Sequence, residues 1–259
     1  SKGGYLPALR FHSEDDSFSA DWTMSLDEIF EYKKNHGGFV DLDFVFNEKF
    51  KHPLKLKDPK FYEQIKDLNI EEFVSKMMKI RKNKDSFDLF TEEFREAEKS
   101  IEKNKSVSWK ETLSAFSYAV NYPAKHFSAE DMLRLRKTLM PLITIIIASL
   151  PQSSYRELIA LHDAGLINLI CVDEKSHVEP HQESGCIYHY TDDDGNAQTK
   201  HYRLYIDAIG QQPLEFNDVP FDGLKSDGVV SPGYLSFKDV NEGKMLFEKG
   251  DPMVKEGGN

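Results

Sequence analysis

Apart from a mixed stretch containing Pro53 and Pro59, the chain from Ser25 to Gly165 places apolar residues three and four positions apart, in segments broken by prolines, glycines and capping residues. That spacing puts one apolar stripe on each segment and commits this part of the chain to packed helices. Ser25, with Glu28 three residues on, forms a capping-box pattern that opens a short helix over 26–35, and Gly37 closes it. Phe61, Ile65 and Leu68 share a face, and Ile70, Phe73, Val74, Met77 and Met78 continue at helical spacing up to Arg81. Phe87, Phe90, Phe94, Ala97 and Ile101 form a stripe whose opposite side carries Glu92, Glu93, Glu96 and Glu98; the spacing is that of a core-facing helix. Ser108 opens a helix over 109–122 that stops at Pro123. Ser128, with Asp131, caps another that runs through the apolar stretch 139–150 to Pro151, and a last one spans 155–164 and ends at Gly165. The pattern predicts six or seven helices within a domain spanning 24–165.

After Gly165 the period changes from 3.6 to 2. The continuous apolar run 166–172 predicts a buried strand, and 185–191 and 199–206 alternate as a hairpin joined by Asp192-Asp-Asp-Gly-Asn196. The second hairpin strand extends through Leu204, Ile206 and Ala208 into a turn at Gly210, where Gly lets the backbone approach a ligand and Pro213 ends the ladder. A short helix over 221–228 and a small hairpin of 235–237 with 244–247 complete the pattern.

The 259 residues suffice for a sizeable core without metal or disulfide staples. A net charge of −11, with lysines interleaved among acids, argues against a nucleic-acid partner. Two cysteines, Cys171 and Cys186, without CxxC spacing fit a reducing, cytoplasmic setting. The run 139–150 is about half the roughly 20 residues that a membrane span requires, and no basic-then-apolar leader opens the sequence.

Three segments, in order, carry a resemblance. Ser1-Lys-Gly-Gly-Tyr-Leu-Pro-Ala-Leu-Arg10 resembles the S-R-x-G-x-L-P-x-V-R stretch of FAD/NAD(P)-binding oxidoreductase-like proteins. Residues 136–141 and 160–170 resemble that family's helical segment and its approach to a strand, and Arg203 to Pro213 resembles its D-x-A-T-G-x-x-P strand end. The resemblance implies a mixed α/β fold: a helix-rich insertion domain plus part of a Rossmann-like sheet with a β-hairpin. On this reading 1–23 is a strand end and loop of the nucleotide-binding part, 24–165 the helical domain, and 166–259 the β-rich part of the FAD/NAD(P)-binding domain. It places Gly210, Gln211 and Gln212 near FAD, and Lys2 and Gly4 beside the nicotinamide nucleotide. Ile209 stands where the family has Thr, and Lys2 where it has Arg, so a bidentate grip on a 2′-phosphate is replaced by a point charge.

The sequence holds no G-x-G-x-x-G turn to cradle a pyrophosphate. The expectation is therefore an internal piece of a longer oxidoreductase, inactive and without bound cofactor by itself, whose partner is the remaining FAD-binding part of its own chain. The competing reading is a non-catalytic helical interaction or regulatory module. A third, a metal-dependent hydrolase, rests on His177, His181, His189 and His201, but Pro180 interrupts the helical spacing that H-x3-H ligation requires. No G-x-S-x-G elbow or activated cysteine is apparent, and the acids 192–194 lack the spaced pattern of an EF-hand, so neither a catalytic residue nor a metal ligand is assigned.

Overall fold

In a computed structural model of the chain, residues 23–82, 84–148, 150–170, 175–192, 195–208, 216–231 and 235–238 are described. The fold is mixed α/β and mostly helical. Helix α1 (Leu26–Asn35) starts with the capping box in full: the Ser25 N–H donates to Glu28 Oε2 at 2.7 Å, and the Glu28 N–H to Ser25 Oγ at 3.3 Å. Gly37, at φ +65°, turns the chain out of it. Asp41 then caps α2 (Leu42–Phe46), which continues through a π-helical turn (Asn47–Lys51) into α3 (His52–Lys57). The wide turn buries Phe50 and Lys51 in succession. The Lys51 ammonium donates to the carbonyls of Lys66 (3.1 Å) and Leu68 (2.6 Å), closing the carbonyl end of α4 (Pro59–Ile65).

Helix α5 (Ile70–Lys82) buries Ile70, Phe73, Val74 and Met77 against this run. Helix α7 (Ser108–Ala119) buries Thr112 to Phe116 without a break, and so lies inside the body. Around it, Phe46, Phe50, Phe73 and Phe116 form an aromatic cluster with ring centroids 4.9–6.4 Å apart. Helix α8 (Ala129–Arg134), capped by Ser128, passes through a second π-helical turn (Leu135–Leu139) into α9 (Met140–Ile147), which buries Leu142, Ile143 and Ile146. The apolar run is thus a core helix, and among the described residues no helix is long and apolar enough to cross a membrane. Helices α6 (Ser86–Glu102) and α10 (Gln152–Asp163) pair antiparallel: Phe87 stacks on His162, while Phe90 and Phe94 stack on Tyr155. Most of the expected aromatic stripe therefore packs as predicted, but Ile101 at its end is exposed.

The described strands β1 (His177–Pro180), β2 (Cys186–Thr191) and β3 (Ala197–Tyr202) form an antiparallel sheet in that order. Register pairs Cys186 with Tyr202 and Thr191 with Ala197, as the predicted hairpin requires. Gly185 precedes β2 at φ +76°, where a Cβ would sit 2.1 Å from the Tyr202 carbonyl oxygen. Strand β1 was not predicted.

Three expectations need correction. The described part of the buried strand 166–172 forms no strand, with Leu166 71% and Leu169 56% exposed. The second hairpin strand ends at Tyr202, and 203–208 is irregular, with Leu204 73% and Ile206 75% exposed. Among the described residues neither segment has a hydrogen-bonded neighbour strand, and an apolar pattern without one does not make a sheet. Finally, 235–237 is not a strand of a hairpin but lies against the helical body; its predicted partner 244–247 is outside the described residues. The helices also outnumber the six or seven expected, because α2 and α3 lie in the stretch before Pro59 where the pattern predicts no helix, and a π-helical turn divides the predicted run after Ser128 into α8 and α9.

Candidate functional site

The densest polar arrangement of the helical body lies where α2, α5 and α8 meet. Asp41 sits at the N-cap of α2 because the preceding chain is extended; its Oδ1 accepts from the Asp43 N–H (2.9 Å) and the Phe44 N–H (3.2 Å). Val40 is held beside it, its N–H donating to the His126 carbonyl at 2.9 Å. In the first turn of α8, Asp131 is 4% exposed at the side chain, and its Oδ2 accepts from the Leu42 N–H at 3.4 Å. Arg134 reaches three carboxylates at once: Asp43 at 2.7 and 3.0 Å, Glu71 at 2.8 and 3.1 Å, and Asp131 at 3.1 Å. Such forked contacts fix both position and angle.

The second cation of this knot comes from far along the chain. Lys238 Nζ donates to Asp131 (2.9 Å) and Asp41 (3.2 Å), its backbone N–H donates to Glu130 (2.9 Å), and the Ala129 N–H donates to the Ser236 carbonyl (2.8 Å). Phe237 between them is 6% exposed. Burial raises the pKa of Asp41, but the bonds from Phe44 and Lys238 outweigh it and hold the carboxyl below its ordinary 3.8. Glu71 is lowered from 4.5, chiefly by its bond to Arg134. Burial alone would lower Lys238, but Asp131 and Asp41 more than offset it, and its pKa rises above 10.5.

These shifts set a pH window. Asp41 and Glu71 contribute stability that is present above 3.8 and 4.5 and lost as pH falls through their lower folded values. Lys238 contributes stability that is complete below 10.5 and lost as pH rises through its higher folded value. The difference in urea midpoint between the protein and its Lys238→Met variant should therefore hold steady at neutral pH and shrink on acidification below 3.8. A difference that stays constant into strong acid would show that Lys238 acts through packing and not through these carboxylates.

A second feature is a cleft of about 250 Å³ between α5, α6, α7 and α9, floored by Met77, Leu89, Trp109, Leu142 and Ile146. Its rim is already neutralised: Arg81 pairs with Glu93, Lys84 with Glu92, and Lys110 with Glu96. A charged ligand entering there would have to displace an existing ion pair.

Gly210, Gln211, Gln212, Lys2 and Gly4 all lie outside the described residues, as does Cys171. Cys186 is buried in β2. The four histidines occupy the sheet and its edge as two pairs: His177 stacks on His189 with ring centroids 4.6 Å apart, and His181 meets His201 edge-on at 4.8 Å. His189 Nε2 is engaged by Glu179 at 2.8 Å and His201 Nε2 by the Ser184 carbonyl at 2.8 Å. Among the described residues no group of three or more His, Cys, Asp or Glu is placed to hold a metal ion. Sequence reasoning missed the knot around Asp131. The capping pair Ser128 and Asp131 was legible, but nothing local links it to Lys238.

Residues 25–147 match the family described as the YdhS-like middle domain. The chain is 27% identical over 197 residues to the uncharacterized protein YdhS of Escherichia coli (strain K12); the match covers 75% of this chain and 35% of that relative. The chain thus corresponds to about a third of its relative's length. No solved structure matches it.

Proposed function

We propose that this chain is the helical middle part, with some strands of a Rossmann-like sheet, of an FAD/NAD(P)-dependent oxidoreductase-like protein of the cytoplasm. In that protein hydride would pass between NAD(P)H and FAD, the cofactors supplying the chemistry. The residues assigned to the cofactors by resemblance lie outside the described part, so no step of the reaction is assigned to the helical body. Its proposed contribution is structural: it spaces the strand segments and is inserted between them.

One observation carries the reading. Leu166, Leu169, Leu204 and Ile206 are all more than half exposed, and they fall within the two segments, 160–170 and 203–213, that resemble the approach to a strand and a strand end of the flavoprotein family. Apolar segments left uncovered before and after a small antiparallel sheet in the chain are what strand sequences look like when their sheet neighbours lie elsewhere in a longer chain. The matched middle domain, 25–147, falls between the first of the resembling segments and the last, as an insertion would. In the same sense Lys2 and Gly4 would flank the nicotinamide nucleotide, and Gly210, Gln211 and Gln212 would lie near FAD.

The test is to purify the full-length gene product beside residues 1–259 alone and record the visible spectrum of each. The expected result is a flavin band in the full-length protein that bleaches when NADPH or NADH is added without air, and no band in the shorter chain. A full-length protein that stays colourless even after FAD is supplied sinks the oxidoreductase reading and leaves the helical interaction module in its place.

A further inference from the structure

The geometry points to a peptide-docking site on the helical body, formed by residues 40–43 and 127–131, which this chain fills with its own segment Leu235–Lys238. The segment acts as a releasable strap. This inference stands apart from the oxidoreductase reading and uses none of its cofactor assignments.

The site has the parts of a peptide-recognition surface. Phe127 and Ser128 are extended, Phe127 forming a parallel bridge with Val40, and the chain then enters α8, whose first amide, the Ala129 N–H, donates to the Ser236 carbonyl at 2.8 Å. This bond satisfies a helix-start N–H that has no partner within α8 and asks nothing of the occupant's side chain. Specificity comes from the next two residues of the strap. Phe237 is buried, and Lys238 places its ammonium between Asp131 (2.9 Å) and Asp41 (3.2 Å) while its N–H meets both Glu130 oxygens at 2.9 and 3.2 Å.

Charge accounts for the choice of cation. Asp41, Asp43, Glu71, Glu130 and Asp131 bring five carboxylates to this face, and Arg134 bonds to three of them, Asp43, Glu71 and Asp131. Among the described residues the side-chain donor to Asp41 is Lys238, which also meets Asp131, while Glu130 accepts the Lys238 backbone N–H, so a cation at this position of an occupant offsets Asp41 and Asp131. The fitting partner is therefore an extended peptide with a large apolar residue followed by Lys or Arg, and the chain's own Phe237-Lys238 has that form. Among the described residues the segment 235–238 is held by one buried ring, Phe237, and by a Lys238 side chain that is 42% exposed, and residues 216–231 are exposed or half-exposed throughout. A hold of this size is one that a competing segment can replace.

The experiment uses the 1–259 chain, in wild-type form and as the double variant Phe237→Ala/Lys238→Glu, with a fluorescent peptide Gly-Tyr-Leu-Ser-Phe-Lys-Asp-Val as probe. The peptide is expected to bind the variant saturably and at least about tenfold more tightly than it binds the wild type, whose own strap competes at high effective concentration. A peptide with Glu in place of Lys should bind the variant at least about tenfold more weakly, and added salt should weaken the parent peptide. Equal binding to wild type and variant, or indifference to the Lys-to-Glu change, overturns the proposal.

Amide hydrogen exchange on a Lys238→Glu single variant gives a second readout that does not depend on the peptide. Faster exchange at Ala129, with the Val40 N–H still protected by the His126 carbonyl, supports a strap that lifts from an intact site. Unchanged exchange at Ala129, or loss of protection at both amides, overturns it: the first because Lys238 then holds nothing, the second because the segment is then part of the fold and not a strap.

Discussion

Truncating Phe50 to alanine should cost about 3–5 kcal/mol of unfolding free energy, the range found when a fully buried aromatic ring is removed. Phe50 is 0% exposed and its ring lies 4.9 Å from Phe46, 5.1 Å from Phe73 and 6.4 Å from Phe116. It therefore joins the π-helical turn, α2, α5 and α7 at one point. The surrounding rings cannot close the gap, because each is fixed by its own helix, so a cavity term adds to the lost transfer free energy. In a domain of this size the loss should appear as a fall in Tm of roughly 6–20 °C. Phe30→Ala is the matched control: Phe30 lies on α1 and is 55% exposed, and its loss should change stability by no more than about 0.5 kcal/mol. Thermal denaturation of the two variants decides the point. Similar losses in both would mean that the aromatic cluster is not the centre of the core.

The helices of this body are legible in the sequence because their signals are local. Ser25 and Glu28, or Ser128 and Asp131, announce a helix start within four residues, and each pair is found bonded as expected at the helix start. The π-helical turns are not legible, since an apolar pattern does not distinguish a five-residue turn from the usual one until the consecutive burial of Phe50 and Lys51 is seen. Strands fail differently. Leu166 to Ile170 and Leu204 to Ile206 have the right residues for strands, but a strand also needs a neighbour, which no local pattern supplies. The same limit works in reverse for β1, where His177-Val-Glu-Pro180 has little apolar alternation yet pairs with β2 because the hairpin lies beside it.

The candidate site was the least legible part for a related reason. Asp131 meets Lys238 across 107 positions and Asp43 meets Arg134 across 91, distances over which charge patterning carries no information. A sequence shows that an acidic chain has many lysines to pair; it does not show which. The residues that resemblance did single out for function, Gly210, Gln211, Gln212, Lys2 and Gly4, belong to segments outside the described residues, and their assignment still rests on the resemblance alone.

Replacing Arg134 by methionine is the other substitution with a large expected effect, about 2–3 kcal/mol at neutral pH. Methionine keeps much of the apolar stem, so what is lost is chiefly the charged head and its five bonds to Asp43, Glu71 and Asp131. Three carboxylates drawn together from three helices would then face one another, with Asp131 almost wholly buried and Lys238 the remaining counter-charge bonded to it. Breaking a fully buried ion pair costs about 3–5 kcal/mol; here the estimate is lower because Arg134, Asp43 and Glu71 are each partly open to water, which screens them. The pH dependence separates this account from a packing defect. Arg134 is the main cause of the lowered Glu71 pKa, so the variant lacks the stability that Glu71 contributes above 4.5 and loses as pH falls through its folded value. The gap between the protein and Arg134→Met, measured by urea unfolding, should accordingly be widest near neutrality and narrow once the carboxylates are protonated. A gap of the same size at acid pH would mean that Arg134 stabilises the body through its stem and not through the carboxylates that it gathers.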